Sequence, residues 1–341
     1  MKRRIENRLE ELCRKFGYAP YKMSRFEEYE LYVRNKDFLQ SDRVITFSGR
    51  DGRLLAMKPD VTLSIVKNAP EDPGAVRKVH YRENVYRQDR DSGNFREILQ
   101  AGVECVGDVG PYEVSEVVYL ASRSLAALGG GTILSLSHVG LIRHVLQKSG
   151  LPEGCRKQAL DCLRQKREQE LRALCEANGA DARLPVTLLR ARTIGDLDHL
   201  ESCEALEELR QITALLDPAQ VRLDFSLGND MKYYSGLVFK GYARGVPTSV
   251  LSGGQYDRLL SHMGKKARAI GFAVYLDRLP VEDEEQADAD TLLIFGDAAP
   301  GAVLAAVEAM EGTVLASRTE PTEGRWKRRA VLENGEVRYL D

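Results

Sequence analysis

Residues 81–107, YRENVYRQDRDSGNFREILQAGVECVG, limit the fold more than any other stretch of this chain. Two runs rich in β-formers, 81–87 and 95–106, flank a polar loop holding Ser92 and Gly93. That pattern predicts an antiparallel hairpin with a longer loop. Arg87 ends the outgoing strand, and Arg96, Gln100 and Glu104 follow on the return at intervals of four. Strand residues four apart share a face. Gln100 and Glu104 therefore look into one pocket, where a carboxylate and an amide suit a small ligand with a cation and polar edges. The same spacing describes a hairpin with a solvated polar face, and on spacing alone that is the simpler account.

With 341 residues the chain can bury a large core and is expected to hold one large domain and a smaller one. Lys and Arg total 49 against 51 Asp and Glu, a net charge of -2, so no broad basic surface for tRNA or DNA is implied. Six cysteines are scattered without a CxxC and read as buried thiols of a reducing cytoplasm. The five histidines do not cluster with them, so no metal site is expected. No apolar run reaches membrane-spanning length, and the N-terminus reads as a charged amphipathic helix, not a signal peptide.

An apolar stripe of Ile5, Leu9, Leu12 and Phe16 predicts a helix over 2–16, ended by Gly17. Runs at 44–47 and 54–57 read as a hairpin around Gly49 and Gly52. It leads into Lys58, Pro59, Asp60, Val61 and Thr62, a helix N-terminus with Asp60 offsetting the dipole. Further helices are expected over 113–128 and 139–148, with a strand at 133–136 between them. From about 150 to 217 strands vanish and charged helices take over, one of them spanning 156–178 with KREQE on a solvated face. Residues 221–239 return to strands. Residues 282–290 read as an acidic linker, and 291–341 as a small α/β unit with a hairpin turning at Asn334 and Gly335. Trp326 among Arg325, Lys327, Arg328 and Arg329 is a basic-aromatic patch, more simply a solvated strand with one packed Trp.

Several of these stretches together resemble the class II aminoacyl-tRNA synthetases, and within them histidyl-tRNA synthetase. YRQDRDSGNFREILQAGVECVG is similar to motif 2 with a loop one residue shorter, and FGYAPYKMSRFEEYELY to motif 1, with Ser24 at the usual Pro. KPDVT follows the family's R-P-E-x-T. NDMKYYSGLVF follows its histidine signature. SGGQYD and GFAVYLDRL follow motif 3. The resemblance implies an α+β fold: a class II synthetase-like antiparallel sheet flanked by helices over 1–281, a helical insertion at about 150–217, and a small C-terminal α/β domain. It implies a homodimer through motif 1. It also implies a histidine pocket: Asp60 and Thr62 hold the α-amino group, Tyr233 and Tyr234 line the imidazole site, and Gln100 and Glu104 complete it. An imidazole needs a donor and an acceptor at its two nitrogens, and a charge-assisted bond to Glu104 contributes roughly 1.5–3 kcal/mol.

The departures shape the functional expectation. The family's signature Arg, which binds carboxylate and α-phosphate, aligns with Asn229; its motif 3 Arg aligns with Gln255; Tyr275 replaces a Gly. Loss of a preorganised cation at a developing charge lowers rates by about 10²–10³, so histidine activation is expected to be lost and no catalytic residue is assigned. Arg87 and Arg278 remain as candidates for residual phosphate binding. The segment after 290 is shorter than the anticodon-binding domain of such enzymes, and no tRNA is expected as a partner. This profile resembles the synthetase-paralogue family of ATP phosphoribosyltransferase regulatory subunits. That likeness implies a non-catalytic subunit of the first step of histidine biosynthesis, dimeric within a hetero-octamer with a short-form catalytic subunit, and sensitive to L-histidine. The alternative is an enzyme that still forms an aminoacyl-adenylate for another acceptor; a scaffold with a dead pocket is a third reading.

Overall fold

The structure, a computed structural model, describes residues 2–39, 44–69, 74–88, 93–230, 233–279 and 288–340, with the backbone alone at 228–230. The chain divides into two compact units, Met1–Pro280 and Val281–Asp341.

The first unit opens with α1 (Lys2–Lys15), whose Ile5, Leu9, Leu12 and Cys13 are buried at helical spacing. Gly17, at φ +75°, ends it, a conformation only glycine adopts cheaply. Next come β1 (Ala19–Pro20), β2 (Phe26–Glu28), α2 (Tyr29–Arg34), β3 (Thr46–Ser48), β4 (Leu54–Met57) and α3 (Thr62–Lys67). Strands β2, β4 and β3 form a three-stranded sheet of their own. β5 (Val76–Gln88) and β6 (Phe95–Gly107) are the anticipated hairpin, paired from Val76↔Gly107 to Gln88↔Phe95. The first strand starts earlier than its β-former run, because its N-terminal half pairs with both β1 and β6.

α4 (Pro111–Ala126), β7 (Thr132–His138) and α5 (Val139–Lys148) follow. The insertion comprises α6 (Glu153–Arg164), α7 (Glu168–Ala177), α8 (Arg183–Arg190) and α9 (Glu204–Ala214). The single helix expected over 156–178 is thus two. Lys166 sits at φ +55° between them, with its Nζ 3.0 Å from Asp224 Oδ2. Buried Ala159, Cys162, Leu163, Leu171 and Cys175 keep near-helical spacing across the break, so periodicity hides it. KREQE is therefore a break followed by a helix start, where Glu168 and Glu170 face the favourable dipole end.

β8 (Val221–Leu223), β9 (Leu237–Ala243), β10 (Leu251–Gln255), α10 (Asp257–His262) and β11 (Arg268–Tyr275) complete the unit. Residues 221–239 are not continuous strand: a short 3-10 turn, Phe225–Asp230, separates β8 from β9. Eight strands form the main sheet in the order β1-β5-β6-β11-β10-β9-β7-β8, antiparallel except at the pairs β1–β5 and β7–β8. Its two faces carry separate cores. On β6, Ala101, Val103 and Cys105 enter the core that includes α1, α4, α5 and the insertion helices. Gln100, Gly102 and Glu104 face the other side, beneath α3 and the segment around Tyr256.

His138 ties the insertion to this frame. Its Nδ1 accepts the backbone N–H groups of Gly140 and Leu141, at 3.0 and 3.3 Å, and so caps α5. Its Nε2–H donates to Glu208 on α9 at 2.7 Å. His138→Ala is expected to lower the unfolding free energy by about 2–3 kcal/mol, combining a lost cap with a lost bond to a charged group. His138→Asn should recover the cap's share. Urea unfolding reads both, and an alanine variant as stable as wild type would contradict the latch.

The second unit has β12 (Ala289–Ile294), α11 (Pro300–Ala309), β13 (Val314–Ser317), β14 (Trp326–Glu333) and β15 (Glu336–Tyr339). The sheet order is β13-β12-β14-β15, with β12 parallel to both neighbours. The hairpin turns on Asn334 and Gly335, both at positive φ (52° and 84°), the geometry Asn-Gly favours. Of the expected linker, 282–287 lies outside the described residues, and β12 already begins at Ala289. Trp326 is half-buried. Its basic neighbours are engaged: Lys327 with Asp290 at 2.6 Å, Arg328 with Thr291 at 2.9 Å, and Arg329 with Glu320 at 3.1 Å.

Candidate ligand cavity

A cavity of about 190 Å³ opens on the side of the main sheet that carries α3. It is smaller than the ~300–1,000 Å³ typical of sites for drug-sized ligands and cofactors, and so is scaled to an amino acid. All six residues expected to hold histidine line it: Asp60, Thr62, Gln100, Glu104, Tyr233 and Tyr234. So does Arg87. The β6 register explains the floor. Gln100 and Glu104 project from the same face, opposite Tyr275 and Gly271 of β11.

Glu104 is the centre of the site. It is 3% exposed. Thr62 Oγ1 donates to its Oε1 at 2.8 Å, and the Tyr256 hydroxyl donates to its Oε2 at 2.5 Å. Burial pushes its carboxyl up to about 8, against the pull of the Tyr256 and Thr62 hydrogen bonds and with a smaller push from Asp60. Glycine at 271 is what lets it lie there: a Cβ on that residue would stand 1.7 Å from Glu104 Oε2 and 2.5 Å from the Val103 carbonyl oxygen.

Asp60 serves two partners. Its Oδ1 accepts the Leu63 N–H at 3.0 Å at the start of α3, and its Oδ2 lies 3.7 Å from Arg87. Burial raises its carboxyl above the ordinary range, and Arg87 opposes that shift. Asp60 thus both caps the start of α3 and lines the cavity. Lys58, by contrast, is 2% exposed and turns to Glu83; it does not line the cavity. Arg87 donates through Nε to the Pro59 carbonyl at 2.7 Å.

Tyr233 is the hub of an aromatic wall, with ring centroids 4.8 Å from Tyr234, 5.8 Å from Tyr256 and 6.2 Å from Phe38. Burial holds the Tyr233, Tyr256 and Tyr81 hydroxyls well above their ordinary range, so all three stay neutral donors. Sequence reasoning passed over Tyr81, Phe38, Tyr256 and Tyr275 as lining residues. Tyr81 was readable from the hairpin register, since it pairs with Gly102 between the two polar positions. A Cβ on Gly102 would reach within 2.7 Å of the Tyr81 hydroxyl.

Two of the remaining candidates, Arg278 and Gln255, lie outside the lining. Arg278 is exposed, donates to the Ser249 carbonyl at 2.7 Å and lies over the Tyr275 ring. Gln255 points to the opposite side of β10. Its Oε1 accepts the Leu237 N–H at 2.5 Å, and its Nε2 lies 3.4 Å from Glu208. The side chain of Asn229 lies outside the described residues. Among the described lining residues the acids are Asp37, Asp60 and Glu104 and the only cation is Arg87. Such a cavity can hold a small ligand with an ammonium group and a planar ring. No group of three or more metal-ligating side chains occurs among the described residues, and none of their helices is long and apolar enough to cross a membrane.

A family model described as histidyl-tRNA synthetase matches residues 1–279. A histidine–tRNA ligase of Methanosphaerula palustris is 28% identical over 291 residues, covering 82% of this chain and 71% of the relative. An ATP phosphoribosyltransferase regulatory subunit of Symbiobacterium thermophilum is 29% identical over 309 residues, covering 83% and 76%. The crystal structure described as an ATP phosphoribosyltransferase regulatory subunit/histidyl-tRNA synthetase from Bacillus halodurans superposes with a TM-score of 0.75 at 25% identity, covering 93% of this chain and 88% of that one.

Proposed function

The chain belongs to the histidyl-tRNA synthetase family, and from that footing we propose that it is the regulatory subunit of an ATP phosphoribosyltransferase, binding free histidine as a feedback signal and forming no adenylate. The observation that carries the reading is the balance of acidic and basic side chains in the cavity. Three carboxyl groups face one guanidinium among the described lining residues, and that guanidinium is committed to Pro59 and Asp60. Such a lining favours an ammonium and an imidazolium. Among the described lining residues there are no clustered cations of the kind a reacting triphosphate demands. Where the family carries a second Arg, Gln255 is knitted into the backbone on the far side of its strand.

In this role Asp60 and Thr62 receive the α-amino group, Glu104 takes one imidazole nitrogen, and Gln100, Tyr233 and Tyr234 orient the ring. The chain is a homodimer that joins a short-form catalytic subunit in a hetero-octamer, with no tRNA bound. The regulatory-subunit relatives support the partner. Feedback then requires only that histidine bind one state of the complex better than another. The test is co-purification with a short-form phosphoribosyltransferase, followed by activity with and without histidine. A stable complex whose turnover depends on this chain and falls with histidine is expected; no complex, or turnover indifferent to this chain, rejects the role.

A second reading has two observations in its favour: Arg87 lines the cavity, and some relatives are named histidine–tRNA ligases. Histidine-dependent pyrophosphate exchange separates the two. Exchange at enzyme-like rates would install the adenylate-forming enzyme in place of the sensor.

A further inference from the structure

Tyr275, the last residue of β11, forms the end of the cavity wall beside Gln100, with which it pairs. It is 5% exposed. The Arg278 guanidinium lies over its ring, 3.9 Å from the centroid, and is held there by its bond to the Ser249 carbonyl. Arg278 itself is outside the lining. A guanidinium held over a ring at this distance marks a place for one planar group, whatever molecule supplies it. Here the chain supplies the group from its own strand.

We propose that Tyr275 is a built-in occupant of a planar-ring subsite adjoining the amino-acid cavity, and that it thereby makes the site refuse nucleotides. With the phenol ring in place, the lining ends at Tyr275, and the exposed Arg278 stays outside the cavity. Without it, the cavity would run on to the Arg278 guanidinium, and a purine would lie where the phenol lies. Arg87 is the one cation among the described lining residues, so the attached phosphates would have to draw it from Asp60. Tyr275 on this account is a specificity-determining residue: it admits the amino acid and shuts out a conjugate of amino acid and nucleotide. The inference deepens the sensor reading and rests on it for its biological sense. Its test does not use histidine, so the two can fail separately.

The test titrates the full chain calorimetrically with ATP and with adenosine, as wild type, Tyr275→Ala and Tyr275→Phe. Wild type and Tyr275→Phe, which keeps the ring, are expected to take up neither ligand at millimolar concentration. Tyr275→Ala is expected to bind both at least about ten-fold more tightly than wild type, in keeping with the usual worth of base stacking. Arg278→Ala added to that variant should reverse most of the gain. Should Tyr275→Ala lack a cooperative thermal transition, Tyr275→Val takes its place, a β-former that preserves the strand. Wild type binding ATP as tightly as the ring-less variant overturns the proposal, as does a folded ring-less variant that binds no better than wild type.

Discussion

Glu104→Ala is expected to weaken histidine binding by at least about a hundred-fold. The carboxylate is 3% exposed, and a charge-assisted bond to the imidazolium contributes roughly 1.5–3 kcal/mol. Truncation also leaves a buried ligand cation unpaired, which costs about 2–5 kcal/mol where such pairs have been broken. Calorimetric titration of both proteins measures the difference, and an affinity within about three-fold of wild type would remove Glu104 from the site. The wild-type pH profile carries a second signature. In the proposed complex, bound imidazolium and Glu104 share one proton between them. Free imidazole titrates near ~6.5, and Glu104 in the empty site near about 8. Between those values the separated partners also hold one proton, so affinity should be flat. Below the window binding must release a proton, and above it binding must take one up. Affinity should therefore fall on both sides, by about ten-fold for each step of one in pH.

Much of this site was legible in the sequence alone, and the reason is local. Period-two alternation places Gln100 and Glu104 on one face of β6, and the hairpin register is fixed by pairing over its whole length. Asp60 and Thr62 sit at a helix start that Pro59 and Asp60 announce. What escaped depends on contacts between distant segments. Tyr256 reaches Glu104 across 152 positions of sequence, and Phe38 joins the wall through Tyr233. Neither has a local signal. Gln255 illustrates the opposite limit: its place in a recognisable motif did not disclose that its amide turns to Leu237 and Glu208. Lys58 turned to Glu83 for the same reason. In the insertion, unbroken apolar spacing concealed the left-handed residue at Lys166 that divides α6 from α7.

The carboxyl proposed to bind histidine should weaken the empty fold, and the sign follows from its ionisation. Glu104 has an ordinary value of 4.5 and a folded value of about 8. A carboxyl raised on folding is harmless below the unfolded value, where both states are protonated. As pH rises from 4.5 towards 8, the unfolded chain gives up its proton while the folded site retains it, and stability is progressively lost. Each ten-fold difference in proton affinity between the two states is worth ~1.4 kcal/mol, and relaxation of the site tempers the sum, so the loss is on the order of 2–4 kcal/mol. Asp60, also raised, works in the same direction but is common to both proteins in the comparison. Glu104→Gln removes the ionisation while keeping the shape, and both hydroxyls that face it can turn to accept from an amide. Thermal unfolding without ligand should therefore show wild type and variant nearly matched at about pH 5, with the variant more stable at about pH 8.5 by several degrees. Saturating histidine should reverse the order, because only wild type gains the binding term. A gap that does not change with pH would mean that Glu104 is not held protonated by its surroundings, and the flat-topped binding profile would fail with it.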